Sequence, residues 1–415
     1  MTGAHPHDLS MVLFLVASSC RRVLAWAALC LAALGMAWQP ASAVWADEAL
    51  AGYRRPLLEG DTLDGWVVTG CEVALKDGVL LLKEGNGFVR TESRYRDFVL
   101  ELAYRPLKAE GYDAGIYIRA EEPVPPRPWP RQYQINLRDG DELNLIGFRQ
   151  ARSQGLVRRG EWNRMKLTVV GERARMEING QKAWETDGLT ARDGYLGIQV
   201  EVPQGGQFEL KDLFVTELGY QPLFDGQSLA GWEGGGQPAE RCWKVEEGLL
   251  LCTGEKGPWL KSLQTYDDFD LRLEYRLRPG GNSGVYLRVP PDGRHHGEGA
   301  GIEVQILDDG AERYKNLKPY QYCGSLYALV PAGQRVGRPP PHWNSLEINC
   351  RGTRYHVWHN GVLIVAADEQ VCPDLKTRLT SGYLGLQNHS EEVAFRHLRI
   401  GPPLDLPVEP LPASP

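Results

Sequence analysis

Long apolar runs are what this 415-residue sequence lacks. The run from Val23 to Trp38 stops at 16 residues, short of the roughly 20 that a bilayer-spanning helix needs. Arg21-Arg22 precedes it and Ala41-Ser42-Ala43 follows, with Val44-Trp45-Ala46 as a second small-residue site. A basic start, a short apolar stretch and a small-residue cleavage site read as an export signal over residues 1–46. The expected location is periplasmic or extracellular, with no stable membrane span once the signal is removed. A basic face is missing too. Lys and Arg number 46 against 53 Asp and Glu, for a net charge of -7. Phosphate binding needs the opposite balance, so a nucleic-acid partner is excluded. Closely spaced cysteines are also missing. Of eight, Cys20 and Cys30 fall in the signal, and Cys71, Cys242, Cys252, Cys323, Cys350 and Cys372 remain. None has zinc-site spacing. In an oxidising compartment some can pair. Cys242 and Cys252 flank the turn signal Glu246-Glu247-Gly248, so a hairpin would set them opposite each other.

What the sequence has is self-similarity. Leu58-Glu59-Gly60-Asp61-Thr62-Leu63-Asp64-Gly65-Trp66 matches Phe224-Asp225-Gly226-Gln227-Ser228-Leu229-Ala230-Gly231-Trp232. Five more blocks follow in the same order. Among them are Gly115-Ile116-Tyr117-Ile118-Arg119 with Gly284-Val285-Tyr286-Leu287-Arg288, Trp162-Asn163 with Trp343-Asn344, and Gly194-Tyr195-Leu196-Gly197-Ile198-Gln199 with Gly382-Tyr383-Leu384-Gly385-Leu386-Gln387. The period is about 170 residues, the size of a whole domain and not of a solenoid repeat. Unit one spans 53–218 and unit two 219–401. With no flexible linker between them, close packing is expected. The Pro-rich tail, 402–415, is expected to be extended and mobile. Twelve Trp and 17 Tyr are many for this length; they suit sugar stacking as well as cores.

Within each unit the periodicity is that of strands. Phe269 to Leu277, Ser345 to Cys350 and Arg354 to Trp358 alternate apolar and polar residues. Asn179-Gly180 and Asn360-Gly361 are tight hairpin turns. Long amphipathic helices are absent. Many short strands per unit predict an all-β protein of two sandwiches or jelly rolls.

The blocks of unit two carry a family resemblance. Leu-Phe-Asp-Gly then Gly-Trp, Gly280-Gly281-Asn282-Ser283-Gly284-Val285-Tyr286-Leu287-Arg288, Glu303-Val304-Gln305-Ile306-Leu307-Asp308-Asp309, Gly324-Ser325-Leu326-Tyr327, Trp343-Asn344, Leu386-Gln387-Asn388-His389 and Phe395-Arg396 together resemble the 3-keto-disaccharide hydrolase domain. The resemblance is strong over 220–400 and weak over 53–218. It implies two tandem concanavalin-like jelly rolls, a carbohydrate or glycoside substrate and, in some members, cleavage of glycosides whose sugar carries a 3-keto group.

Alternate residues of a strand share a face. Glu303 with Gln305, Tyr286 with Arg288, and Gln387 with His389 are therefore three polar pairs, and they form one concave surface if their strands adjoin as the resemblance implies. Asp308 and Asp309 sit at its mouth, Tyr327 on the following loop, and Asn282 in a Gly-rich loop beside the rim. A ketone at C3 acidifies the neighbouring C–H, so a base can remove that proton and the glycosidic oxygen leaves. His389 is the first candidate base and Glu303 the second. Arg288 or a divalent metal would stabilise the enolate. Tyr327 or Asp309 would protonate the leaving group. Gln305, Gln387, Tyr286, Asn282, Asp308 and Asp309 are expected to bind substrate, as are Arg119 and Gln134 of unit one. A two-carboxylate hydrolysis by Glu303 with Asp308 or Asp309 competes, although alternation sets Glu303 and Asp308 on opposite faces. The cofactor stays open.

The same residues admit plainer readings. His389 would cap a strand end, Arg288 and Glu303 would satisfy each other, and Asp308-Asp309-Gly310 would be a turn. His295-His296 read as a solvated loop and not a metal site, since adjacent residues seldom converge on one ion. In unit one Gln132-Tyr133-Gln134-Ile135 stands at the place of Glu303-Val304-Gln305-Ile306, and Glu201 at that of His389. An amide cannot act as a general base, so unit one is expected to bind or support and unit two to catalyse. The alternatives are a tandem lectin-like binding module, or a scaffold that binds no glycan.

Overall fold

The computed structural model describes residues 50–409 and 411. The export-signal segment, with Cys20 and Cys30, lies outside them. No helix among the described residues is long and apolar enough to cross a membrane. Strands dominate throughout, and every strand pairing is antiparallel, as expected of jelly rolls.

Unit two is built from two facing sheets. One carries Phe269–Leu277 between Glu392–Gly401 and Asn344–Arg351. The other has five strands in the order Trp232–Gly234, Leu260–Tyr266, Gly382–Leu386, Asn282–Val289, Ile302–Leu307. Leu271, Leu273, Tyr275, Val285, Leu287, Val304, Ile306 and Leu386 fill the core between them. Unit one repeats the plan with one difference. Its 17-residue strand Val79–Tyr95 runs through both layers, so all its strands join one eleven-stranded sheet. Gly85, at a φ of 95°, sits where that strand's pairing slips.

The repeated blocks have structural reasons. Gly65 and Gly231 adopt φ of 87° and 85°, which an L side chain resists. They deliver Trp66 and Trp232, whose indole N–H groups donate to Leu57 O at 2.7 Å and Leu223 O at 2.6 Å. Asn179-Gly180 and Asn360-Gly361 have positive φ at both residues, the hairpin geometry expected of them. Asn360 Nδ2 donates to Asn344 Oδ1 at 2.8 Å and Asn179 Nδ2 to Asn163 Oδ1 at 2.9 Å, which explains the Trp-Asn block.

The two units belong to one compact body. An ionic network lies at their contact. Glu217 of unit one meets Arg399 at 2.7 Å and Arg272 at 3.0 Å, both of unit two, and Arg55 at 3.4 Å. Arg55 also reaches Glu274 at 3.4 Å. A cavity of about 250 Å³ adjoins this network, closed partly by Pro402, Leu404 and Leu406.

Two expectations need correction. Over residues 402–409 the tail is extended but not free. Leu404 N donates to Asn349 Oδ1 at 2.7 Å, Arg354 Nη1 to Leu406 O at 3.0 Å, and His356 Nε2 contacts Pro407 O at 2.9 Å. The carbonyls of Leu404, Leu406 and Pro407 face side chains of the sheet, so the tail is held without a continuous ladder of amide donors. The six described cysteines are unpaired. Glu247-Gly248 makes a two-residue turn that sets Cys252 opposite Trp243, one position away from Cys242.

Candidate functional site

Three strands of the five-stranded sheet bring the expected polar residues together. Tyr286 pairs with Glu303 across one ladder and with Gly385 across the other, and Gly284 pairs with Gln305. Because Gly284 has no side chain, Glu303 can lie over it: a Cβ there would stand 2.3 Å from Glu303 Oε1. Trp259 underlies the same face, its ring 5.5 Å from that of Tyr286. Gly293 and Gly385 leave room for the indole.

The result is a pocket of about 240 Å³ in unit two. Asn282, Glu303, Gln305, Tyr327, Gln387 and His389 line it, as the sequence suggested. Gln305 Nε2 donates to Asn282 Oδ1 at 3.1 Å, and Gln387 Nε2 to Tyr286 Oη at 3.1 Å. Gln387 and His389 lie just past the end of their strand, at Leu386. His389 is exposed at the rim, with Nδ1 3.2 Å from Glu391 Oε2. Gln321 Nε2 donates to Tyr327 Oη at 2.9 Å.

Glu303 is the unusual group. It is 3% exposed, and burial pushes its carboxyl up to about 8. Its Oε1 has no hydrogen-bond partner among the described residues, nor does Oε1 of Gln387. His295 and His296 also line the pocket, contrary to the solvated-loop reading. A bend at His296 turns both rings the same way, with centroids 4.1 Å apart. His295 stacks on Tyr286 at 4.5 Å, and His296 stands 5.4 Å from Tyr327. The ligand-type atoms of His295, His296 and Glu303 all fall within 4.8 Å of one another, so these three are the residues of the pocket able to hold a metal ion. Adjacent residues diverge in extended chain, but not at a bend. The His-His doublet itself was the available signal.

Arg288 is not in the site. The ladder slips between Tyr286 and Val289, and Arg288 has a φ of 52°. This bulge turns its side chain into the core, where it is 0% exposed. It donates there to Asp267 O at 2.5 Å, Gly352 O at 2.6 Å, Tyr355 Oη at 3.0 Å and Asp268 at 3.0 Å. It makes no pair with Glu303. Arg119 does the same in unit one, at a φ of 44°, bonding Arg96 O, Gly171 O, Ala191 O and Asp97. The repeated Arg ties two loops in each unit and is unavailable to substrate or enolate. Asp308 and Asp309 are bound to the backbone, accepting from Gly280 N at 2.7 Å and Cys323 N at 3.0 Å, although the buried Oδ2 of Asp309 has no partner among the described residues. Asp308 O also receives Ala311 N, so the turn reading holds.

Unit one closes its equivalent face. Tyr117 pairs with Gln134 as Tyr286 pairs with Glu303, so Gln134 takes the place of Glu303, and Asn136 that of Gln305. The alignment with Gln132 is two residues out of register. Tyr117 Oη donates to Gln134 Oε1 at 3.1 Å, Gln134 Nε2 to Gln199 Oε1 at 2.8 Å and Gln199 Nε2 to Glu201 at 2.7 Å. Trp129 of the Pro-rich loop packs against Phe88 and Tyr117. Gln134 is therefore spent on its neighbours and not offered to a ligand.

Gly284→Ala is expected to push Glu303 out of this arrangement while leaving the strand intact. A displacement near 1 Å in a reacting group can cost about 100-fold in rate. A crystal structure of the variant with a turnover assay checks both points.

Comparison with known proteins gives the family. A model of the 3-keto-alpha-glucoside-1,2-lyase-like domain matches residues 54–216 and again 219–401. A 3-keto-disaccharide hydrolase of Bacteroides thetaiotaomicron is 24% identical over 242 residues, 48% of this chain and 83% of that protein. A crystal structure from Parabacteroides distasonis, provisionally named a glycosyl hydrolase, is 24% identical, with a TM-score of 0.38 over 45% of this chain and 94% of its own. A carbohydrate-binding module of Bacillus subtilis is 12% identical, with a TM-score of 0.29 over 37% of this chain and 95% of its own. Since the family model covers most of the sequence in two consecutive segments, the chain belongs to the 3-keto-alpha-glucoside-1,2-lyase-like domain family, a glycosyl hydrolase-like family, and carries that domain twice.

Proposed function

We propose that this protein is exported and that unit two cleaves glycosides whose sugar carries a ketone at C3. The observation that carries the reading is the asymmetry of the repeat. Unit two gathers Glu303, His295, His296, Tyr327 and His389 around one pocket with unpaired polar atoms. Unit one fills the same place with mutually bonded amides. Clustered unlike ionisable groups in a cleft are what acid–base chemistry needs.

In the proposed reaction His389 is the base. Glu391 behind it holds the proton on Nδ1 and leaves the Nε2 lone pair free. Nε2 takes the C2 proton, and the C2–H electrons form the enolate with the C3 ketone. Collapse of the enolate makes the C1–C2 double bond and breaks the C1–O bond. The leaving oxygen takes a proton from Tyr327. Water then adds across the new double bond: its hydroxyl joins C1 as the Tyr327 phenolate takes its proton, and His389 returns the first proton to C2, so both side chains are restored and the sum is hydrolysis. The amides of Gln305, Asn282 and Gln387 hold sugar hydroxyls, and Trp259 and Tyr286 support the ring-bearing face.

The test is incubation of the purified chain with a 3-keto-glucoside and with its unoxidised parent, following alcohol release. Release from the keto sugar alone is expected. Equal release from both would replace elimination with ordinary glycoside hydrolysis. Binding of either sugar without release would leave a lectin-like module.

A further inference from the structure

His295 is fixed at both nitrogens. Its Nδ1 lies 3.0 Å from the Gly293 carbonyl oxygen, which can only accept. The ring proton therefore sits on Nδ1, and Nε2 presents a lone pair. That lone pair faces Glu303 Oε2 at 3.2 Å. An imidazole lone pair and a carboxylate oxygen at this distance need a proton or a metal cation between or beside them. The spacing is also what neighbouring ligands of one metal ion show, about 3 Å for bonds near 2.1 Å at right angles. His296 supplies a third donor atom within 4.8 Å of both. Glu303 Oε1, in a side chain 3% exposed, is left without a partner.

We propose that His295, His296 and Glu303 hold a divalent first-row transition metal ion, of the manganese-to-zinc series, with its remaining coordination positions open to the pocket. Two imidazoles with one carboxylate suit these ions, whereas magnesium and calcium favour oxygen ligands alone. The Gly293 carbonyl behind His295 is the outer partner that metal-bound histidines have. The loop is held in place: Gly299 N donates to Thr377 O at 2.9 Å, Gly301 N to Arg294 O at 3.1 Å, and Arg378 Nη1 to His295 O at 3.3 Å.

A second cluster of the same residue types shows what a filled site looks like. Glu59, Glu274 and His397 also converge, but Arg396 bonds both acids, at 2.5 and 2.7 Å, and Tyr53 Oη takes His397 Nδ1 at 3.0 Å. There the chain supplies its own cation. Among the described residues that line the pocket there is no Lys or Arg. The role assigned to the ion rests on the function proposed above: it would polarise the C3 ketone and stabilise the enolate oxygen, the task for which Arg288 is misplaced.

The probe is Co²⁺ alone, added to the full chain after chelator treatment and followed by calorimetry and by its visible absorption. One ion per chain is expected, with absorption bands of nitrogen-containing coordination and a raised melting temperature. His295→Ala and Glu303→Gln should each weaken binding by at least the roughly 10–100-fold typical of losing an outer-sphere partner. His296→Ala, at an exposed ring, does the same work if a buried variant fails to fold. His397→Ala should leave binding unchanged. Absence of saturable binding, or binding unaltered by the His295 and His296 variants, overturns the site. A chain that binds Co²⁺ but releases nothing from keto-glycosides keeps the site and loses the proposed reaction. A chain that binds no metal and still cleaves loses only the site.

Discussion

Glu217→Ala is expected to cost about 3–5 kcal/mol of stability, the range for removing one partner of a buried ionic network. Glu217 is 2% exposed and faces three guanidinium groups, of Arg399, Arg272 and Arg55. Burial alone would push its carboxyl up, but those three charges outweigh it and hold the group at about 2. Removing it leaves positive charge buried without compensation, at the contact between the units. The loss should therefore show as uncoupling as well as instability. Calorimetry should find one transition in the parent chain and two in the variant. Glu101→Ala, which removes an exposed pair with Arg54, should cost less than about 1 kcal/mol. A Glu217→Ala chain as stable as its parent would show that the network is not what joins the units.

The same network sets an acid limit. Glu274 is also held at about 2, where burial is outweighed by His397, Arg396 and Arg55. Both folded values lie below the ordinary carboxylate value of 4.5. Their contribution is thus complete above about pH 4.5 and is lost as pH falls toward 2. At about 1.4 kcal/mol per unit, each group gives up roughly 3 kcal/mol across that window. Melting temperature measured from pH 6 to pH 2.5 should fall steeply below 4.5 in the parent chain and less steeply in Glu217→Gln.

Much of this architecture is legible in the sequence because it repeats. A glycine before tryptophan and an Asn-Gly turn each answer a local backbone need, and the need recurs about 170 residues on. Period-two alternation marks the strands, and it places Glu303 and Gln305 on one face as found. Alternation fails where the ladder slips. Nothing in Tyr286-Leu287-Arg288 announces a residue at a φ of 52°, so the arginine shared by both units reads as a site residue when it is a tie between loops. The register of Gln134 against Gln132 is lost for a similar reason: the loops before that strand differ in length and composition, and only the pairing with Tyr117 settles it. His295 and His296 escape because convergence is a property of a bend, which strand reasoning does not describe. The ionic contact between units is invisible because Glu217, Arg272 and Arg399 each look like an ordinary outward residue on an alternating strand, until the second unit covers them.

The largest effect on activity is expected from His389→Ala. Loss of a general base costs about 10²–10⁴-fold in turnover. His389 is exposed and has one side-chain contact, with Glu391, so the fold should not change and a melting curve can confirm that. Glu391→Gln should cost less, since it removes the group that orients the ring but leaves the ring itself. Glu391 also bonds Arg313 at 2.9 Å, so Arg313→Ala, which removes that bond together with the Arg313 contacts to Gly280 O and the Tyr314 ring but leaves His389 and Glu391 in place, separates a local loop effect from an effect on the ring. The decisive contrast lies in the other unit. Glu201 occupies the place of His389, but its carboxylate already accepts from Gln199, whereas His389 borders the open pocket of unit two. Glu201→Ala should leave turnover unchanged. If instead Glu201→Ala abolished release from keto-glycosides and His389→Ala did not, the chemistry would belong to unit one, and the open pocket of unit two would be a site for holding sugar.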